Sequence, residues 1–219
     1  MQRAATARGA LGDGAIALDV GGGRGEHAAV WAVGGVRSIV LDPSPAMLES
    51  ARTKAGVIAI GGRAQAMPFR DATFDLVYFH LSIHYGDWRR SLTEAHRTLR
   101  EGGRCEIWTL GAEHHRTSNL ARWFPSIAEI DSARFPQPGD LADYLGELDM
   151  SVGRTRSIET ARRPVGEWIQ AVRAGFVSTL QLVPNDELEK GLAAFVESHP
   201  DPAETFEYEL KYDRLLARK

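Results

Sequence analysis

The chain has 219 residues, with 26 Lys and Arg against 29 Asp and Glu and a formal net charge of −3. No whole-protein field therefore draws it to nucleic acid or to an anionic membrane. Its single cysteine, Cys105, excludes an intrachain disulfide and suits a reducing cytoplasm; no apolar run is long enough to span a bilayer, and the opening residues lack a hydrophobic signal core.

The first apolar run, "AIALDV" (15–20), is short, β-branched and halted by glycine, and reads as a buried strand. "GEHAAVWAV" (25–33) has helical spacing and "GVRSIVLD" (35–42) is a second strand. "SPAMLESARTKA" (44–55) opens with Ser44 before Pro45, an N-cap followed by the first helical position. "VIAIGG" (57–62) and "FDLVYFHL" (74–81) are the third and fourth strands. "DWRRSLTEAHRTLR" (87–100) is an amphipathic helix stopped by "EGG", and "RCEIWTL" (104–110) is the fifth strand. Beyond residue 111 the rhythm changes to a polar, aromatic, proline-punctuated insertion. A helix (141–149), a sixth strand (150–159), two more helices and an alternating terminal strand (205–219) complete the chain. Strands alternating with helices predict an α/β, Rossmann-like, doubly wound sheet of seven mostly parallel strands, with an inserted lid after strand five. The expected organisation is one domain over 1–219: a cofactor-binding half (15–111), a lid and substrate helices (112–204), and the terminal strand (205–219).

The segment "ALDVGGGRGEHA" (17–28) sets four glycines within five positions, directly behind the first strand. Such a turn presents bare backbone N–H groups at a helix N-terminus. The dinucleotide spacing G-x-G-x-x-G is not met, because counting from Gly21 and Gly23 reaches Glu26, which disfavours a nicotinamide cofactor. The pattern present is Asp19, Gly21, Gly23, Gly25. An acid at the strand's end suits a ligand bearing an ammonium group better than a pyrophosphate. A second acid, Asp42, ends strand two, where a carboxylate can accept both ribose hydroxyls.

Together, "ALDVGGGRGEHA", "VLDPSPAML", "GGRAQAMPFRDATFDLVYFHLSIHY" and "LTEAHRTLREGGRCEIWTL" resemble, in order and spacing, the successive motifs of class I S-adenosylmethionine-dependent methyltransferases, especially those acting on small molecules and quinones. The resemblance covers roughly residues 15–111, with a weaker echo in the terminal strand. It implies S-adenosylmethionine as cofactor, with Asp19 near the methionine ammonium and Gly21, Gly23 and Gly25 in the loop that receives the amino-acid part. Asp42 would hold the ribose, Pro43 and Met47 flank the adenine, and Ala64 and Gln65 contact it, while Phe79 and His80 meet the methionine end. Where family members usually carry an acid, this chain has Arg63. Family members also commonly carry a longer segment ahead of the first strand, with a helix closing over the cofactor; the expectation here is a lid formed by residues 112–145, a contribution from a second copy in a homodimer, or a more open site.

The reaction implied is direct in-line methyl transfer to an O, N or C atom of a small organic molecule. Alternatives are a non-catalytic adenosylmethionine-binding partner protein or an RNA methyltransferase. Against the latter, this chain lacks both the [D/N/S]-P-P-[Y/F] stretch that amino-methylating members carry after strand four and a basic stripe with stacking aromatics. Candidate bases are His84, its neighbour Tyr85, and His114 of the 114–115 doublet; the competing reading for His84 is a loop histidine bonded to backbone. No metal is expected, for want of paired ligand spacing. Trp123 and Phe124 are candidates for an apolar substrate pocket, whereas Trp108 reads as core.

Overall fold

The computed structural model describes residues 2–9 and 11–219. In chain order the elements are α1 (Gln2–Arg8), β1 (Ile16–Val20), α2 (Glu26–Val33), β2 (Arg37–Asp42), α3 (Pro45–Arg52), β3 (Val57–Gly61), β4 (Phe74–His80), α4 (Trp88–Thr98) and β5 (Leu99–Leu110). There follow α5 (Ala112–Thr117), α6 (Asn119–Trp123), α7 (Ser126–Arg134), α8 (Pro138–Glu147), β6 (Ser151–Pro164), α9 (Val165–Arg173), a 3-10 turn (Ser178–Leu182), α10 (Asn185–Ser198) and β7 (Thr205–Arg218). Seven strands form one mixed, mostly parallel sheet in the order β3-β2-β1-β4-β5-β7-β6. β1 pairs in parallel with both β2 and β4, β2 with β3, and β4 with β5. The order reverses between β1 and β4, and a crevice outside the carboxyl ends of the strands is the usual consequence.

The expected strands are present, with differences that have local causes. β5 begins at Leu99, ahead of the expected residue 104, because the chain bulges: Phe74 pairs with Leu99 and Leu76 with Arg104, with Gly102 at φ +74°. The glycines after α4 thus end the helix and start a kinked strand. β6 runs on to Pro164, five residues past the expected end. A helix that the sequence reading did not anticipate, α1, stands ahead of β1. Seven residues make a marginal helix alone, and tertiary bonds hold it. The Trp31 indole donates to the Ala4 carbonyl (2.9 Å), Arg104 donates to the Ala7 carbonyl, and Ala4 and Ala7 are buried. The insertion comprises four helices, α5, α6, α7 and α8.

The chain divides into two compact units. The first comprises the chain up to Thr109 with Pro138–Thr155 and Asp213–Lys219; the second comprises Leu110–Gln137 and Arg156–Tyr212. In the first, Leu18, Val20, Val77, Phe79, Leu92, Ile107 and Leu215 form a core to which α8 adds Leu141 and Leu145. The expected lid, 112–145, is therefore not one piece, since α8 packs into the first unit's core. In the second unit the core is aromatic. Trp168 stacks with Phe124 (ring centroids 6.2 Å apart), lies 3.9 Å from the Phe195 ring and meets Phe206 edge-on at 5.8 Å. Phe124, expected in a substrate pocket, is instead fully buried in this core. Gly191 makes that packing possible: a Cβ there would run into the Trp123 carbonyl and lie 2.5 Å from Phe124 Cε1. Trp123 packs against the same cluster and also borders an open depression with Pro125 and Lys190.

Candidate functional site

The glycine loop follows β1. Gly21 N–H donates to the Leu41 carbonyl (2.7 Å) and Gly25 N–H to the Gly22 carbonyl (2.9 Å), which coils the loop into the start of α2. Gly21 has φ +66°, and a Cβ there would stand 2.6 Å from Ser82 Cβ, so glycine is required twice over. Asp42, at the end of β2, fastens the loop from the other side. Its Oδ2 accepts the Gly23 N–H (2.9 Å) and its Oδ1 the Ser44 N–H (2.9 Å). Ser44 in turn caps α3 by accepting the Met47 N–H (3.4 Å).

These ends border a cleft of about 590 Å³ within the first unit. Of the residues singled out from sequence, Gly21, Gly23, Asp42, Pro43, Met47, Ala64, Gln65 and Tyr85 line it, as does Arg63. Its walls come from the ends of β1, β2 and β3 and from the loop after β4, the switch-point position of a doubly wound sheet. Ser82 and Gly86 also line it and were missed. Ser82 carries no sequence signal; its hydroxyl donates to the Val20 carbonyl (2.5 Å) and ties the post-β4 loop to β1. Gly86, at φ +87° before the N-cap Asp87, was legible as a turn glycine in "HYGDW". Leu81, just ahead of Ser82, holds φ +52°, a strained conformation for a branched residue at the cleft's edge.

The other predicted residues lie away from the cleft lining. Gly25 is the left-handed N-cap of α2 and faces packing, with its Cβ position 3.2 Å from Ala51 Cβ. Phe79 is buried in the core. Asp19 is 1 % exposed, beneath the glycine loop, where a Cβ on Gly22 would lie 2.6 Å from its Cγ. Burial first, and the Asp42 charge second, push the Asp19 carboxyl up to about 7. Its Oδ2 accepts no hydrogen bond among the described residues, and His27 Nδ1 stands 3.9 Å away. His80 bonds Arg3 Nη1 through its Nε2 (2.8 Å), so the end of β4 meets α1; burial, then His27 and Arg3, depress its imidazole to about 3. His84 sits half-buried with its ring 4.1 Å from that of Tyr85. His114 belongs to the second unit. Its Nδ1 accepts the Lys211 N–H (3.2 Å), and burial, then His115, depress it to about 4.

A polar row that the sequence reading missed crosses the first unit's sheet. Asp19 registers with Tyr78, and Tyr78 with Glu106. Arg214 Nε donates to Glu106 Oε1 (2.9 Å), as does Trp108 Nε1 (2.9 Å). The Tyr78 hydroxyl has no hydrogen-bond partner among the described residues, and burial, then the Glu106 charge, push its pKa upward. Alternation along single strands hides such a row, because register is needed to see it. No group of three or more His, Cys, Asp or Glu among the described residues is placed to hold a metal ion, and no described helix is long and apolar enough to cross a membrane.

Residues 18–107 match a family profile described as a methyltransferase domain. A malonyl acyl-carrier-protein O-methyltransferase of Dechloromonas aromatica is 32 % identical over 132 residues, or 58 % of this chain and 47 % of that protein. An uncharacterised methyltransferase of Mycobacterium tuberculosis is 30 % identical over 114 residues, covering 52 % of this chain and 45 % of its own length. The chain thus spans about half the length of these curated relatives. Among solved structures, a candidate methyltransferase from an antibiotic biosynthesis pathway of Anabaena variabilis has a TM-score of 0.82 at 21 % identity, over 100 % of this chain and 97 % of that one. Geranyl diphosphate methyltransferase, solved with S-adenosylmethionine, has a TM-score of 0.62 at 15 % identity, over 99 % of this chain and 84 % of that one. The strand order and the profile match over residues 18–107 support a class I methyltransferase.

Proposed function

We propose that this protein binds S-adenosylmethionine in the cleft of its first unit and transfers the methyl group to a small organic acceptor. The observation that carries the reading is the convergence of bare loop backbone at Gly21 and Gly23 with the Asp42 carboxylate and the apolar Pro43 and Met47 on one cleft. The residues present suit that cofactor. The loop leaves no side chain over the strand end, and Asp19 keeps an unpartnered buried oxygen directly below it. In this reading the amino-acid end lies over Gly21 and Gly23, and an ammonium there would favour the ionised form of the Asp19 carboxyl, which burial and the Asp42 charge push up to about 7. Asp42 accepts ribose hydroxyls with the lone pairs its two backbone bonds leave free, and Pro43 and Met47 cover the base.

The bound cofactor supplies an activated methyl group on a sulfonium, so the protein's part is alignment and exclusion of water. Positioning of that kind is worth about 7–11 kcal/mol of barrier. We infer from the relatives' activity that a carboxylate oxygen is the first acceptor class to test. For such an acceptor the bound cofactor would supply the methyl group and leave as a thioether, the product being a methyl ester, while the Gly21–Gly23 loop and Asp42 would hold the cofactor. A carboxylate needs no base. For a phenol or amine acceptor, Tyr85, which lines the cleft, with His84 beside it on the loop after β4, is the candidate to take the proton, with about 10²–10⁴-fold at stake.

Calorimetric titration with S-adenosylhomocysteine tests the cofactor site, and transfer of a radioactive methyl to carboxylates, phenols and amines tests the reaction. Asp42→Ala is expected to weaken binding at least about 10-fold, near 1.4 kcal/mol. Asp42→Asn, which keeps one acceptor for the Ser44 N–H, should lose less stability while still losing affinity. Unaltered affinity in both variants, or no binding by the wild type, overturns the reading.

A further inference from the structure

Resting on that reading of the cleft, we propose that Leu81 is a specificity-determining residue on the acceptor side of the reaction. Its left-handed backbone holds an apolar side chain at the carboxyl end of β4, where it meets the carbon skeleton of the methyl acceptor and favours acceptors with an alkyl group next to the reacting atom.

Among the described residues, three other than glycine have positive φ: Ala72 at +50°, Leu81 at +52° and Asp149 at +62°. Ala72 and Asp149 are exposed in turns; the first is small and the second is a residue type that tolerates the left-handed region. Leu81 is bulky, branched and half-buried. Such a conformation is costly for it and persists only where neighbouring contacts impose it. Those contacts stand on both flanks. The Leu81 N–H donates to the Trp108 carbonyl (2.9 Å), fixing the chain's exit from β4 against β5. The next residue, Ser82, donates its hydroxyl to the Val20 carbonyl (2.5 Å), and a Cβ on Gly21 would lie 2.6 Å from Ser82 Cβ. Glycine at position 81 would serve both bonds with less strain. What glycine would lack is the side chain.

The cores do not use that side chain. Strand alternation would set residue 81 on the face of Val77 and Phe79, which are buried in the first unit's core. The left-handed turn takes Leu81 out of that row, and it belongs neither to that core nor to the aromatic core of the second unit. Its place fits the acceptor rather than the cofactor. β2, β1, β4 and β5 follow one another across the sheet. In the cleft reading, base, ribose and amino-acid end run from Met47 and Asp42, at β2, to Gly21 and Gly23, at β1. The acceptor comes next along that line, over the ends of β4 and β5. Leu81 stands there, between Ser82, which abuts Gly21, and the Trp108 carbonyl, and it is not among the residues lining the cofactor cleft.

The test is a ratio of acceptor efficiencies, because general damage lowers both members of a pair. Transfer of a radioactive methyl group is measured to acetate and hexanoate, to methylamine and hexylamine, and to phenol and 2-propylphenol. In whichever pair is methylated, the wild type should favour the alkyl-bearing member by at least about 10-fold in kcat/KM. Leu81→Gly and Leu81→Ala should bring that ratio to within about threefold, chiefly through KM, and Leu81→Met, apolar and similar in volume, should keep it. Two further readouts separate this role from a structural one. S-adenosylhomocysteine affinity should stay within about twofold in all three variants. Leu81→Gly should unfold at a urea concentration no lower than the wild type, because glycine relieves the left-handed strain. No preference in the wild type, a ratio unmoved in the Gly and Ala variants, cofactor affinity lost in them, or earlier unfolding of Leu81→Gly overturns the role of Leu81 and leaves methyl transfer standing. A wild type that methylates no member of any pair overturns the transfer reading and this inference with it.

Discussion

The two units solve different problems with different chemistry. In the first, the strand ends are polar and glycine-rich: Gly21 and Gly23 expose main chain, Asp42 accepts one N–H from Gly23 of the loop and one from Ser44 at the start of α3, and Asp19 stays buried with an unpartnered oxygen. In the second, the concentrated feature is apolar, an aromatic stack of Phe124, Trp168, Phe195 and Phe206 closed over Gly191. The lesson is that Phe124, conspicuous in the sequence as a candidate for a pocket, marked a core. The binding features sat where local backbone order was given up.

Breaking the aromatic side should cost stability and little else. Trp168 is 1 % exposed, and Trp168→Ala should remove about 3–5 kcal/mol. Denaturant unfolding reads that loss, and S-adenosylhomocysteine affinity of the folded protein should hold, since none of the residues lining the cleft belongs to the second unit. A shift of under about 1 kcal/mol would show that the stack is not a core.

The polar side should respond to pH. With its carboxyl raised to about 7 against an ordinary 3.8, Asp19 holds a proton in the folded chain that the unfolded chain has released. Its contribution to stability is therefore full below about pH 4 and falls as pH rises through about 7, by at most about 4 kcal/mol. Asp19→Asn cannot ionise, so the difference between the variant and the wild type should grow in the variant's favour from pH 5 to pH 8 in parallel urea titrations. A constant difference would place the Asp19 titration in its ordinary range.

Gly21→Ala sharpens the contrast within the first unit. Its Cβ would meet Ser82 Cβ at 2.6 Å from a φ of +66°, at the cleft itself. Cofactor affinity should fall at least about 10-fold, a change of about 1.4 kcal/mol in binding. Retained affinity would mean that the loop can relax around a methyl group. The smallest effect is expected at α1. Trp31→Phe keeps the packing and deletes the indole bond to the Ala4 carbonyl. A loss near 1 kcal/mol should appear as faster amide exchange in α1 alone; unchanged exchange would show that Arg3 and Arg104 suffice to hold the helix.

Much of the first unit was legible because its signals are local. "AIALDV" before glycines, Ser44–Pro45 at a helix start and Asp42 at a strand end each follow from short-range rules, and eight of the predicted site residues line the cleft. Other features depend on contacts between distant segments. α1 exists through bonds to Trp31 and Arg104, residues 27 and 97 positions away from their partners. The row of Asp19, Tyr78 and Glu106 requires the pairing of β1 with β4 and of β4 with β5. Gln65 is tied to the start of α4 only because Ser91 lies 26 residues on and within 3.0 Å of its amide nitrogen.

The sequence by itself determined the alternation of strands and helices, the parallel character of the sheet and the place where backbone is left bare, because hydrophobic period, caps and glycine conformations act within a few residues. Tertiary structure decided which residues line the cleft and which charged and aromatic side chains are entombed. Those outcomes hinge on what distant segments bring alongside, and burial and proton inventory, unlike propensity, are properties of the assembled neighbourhood.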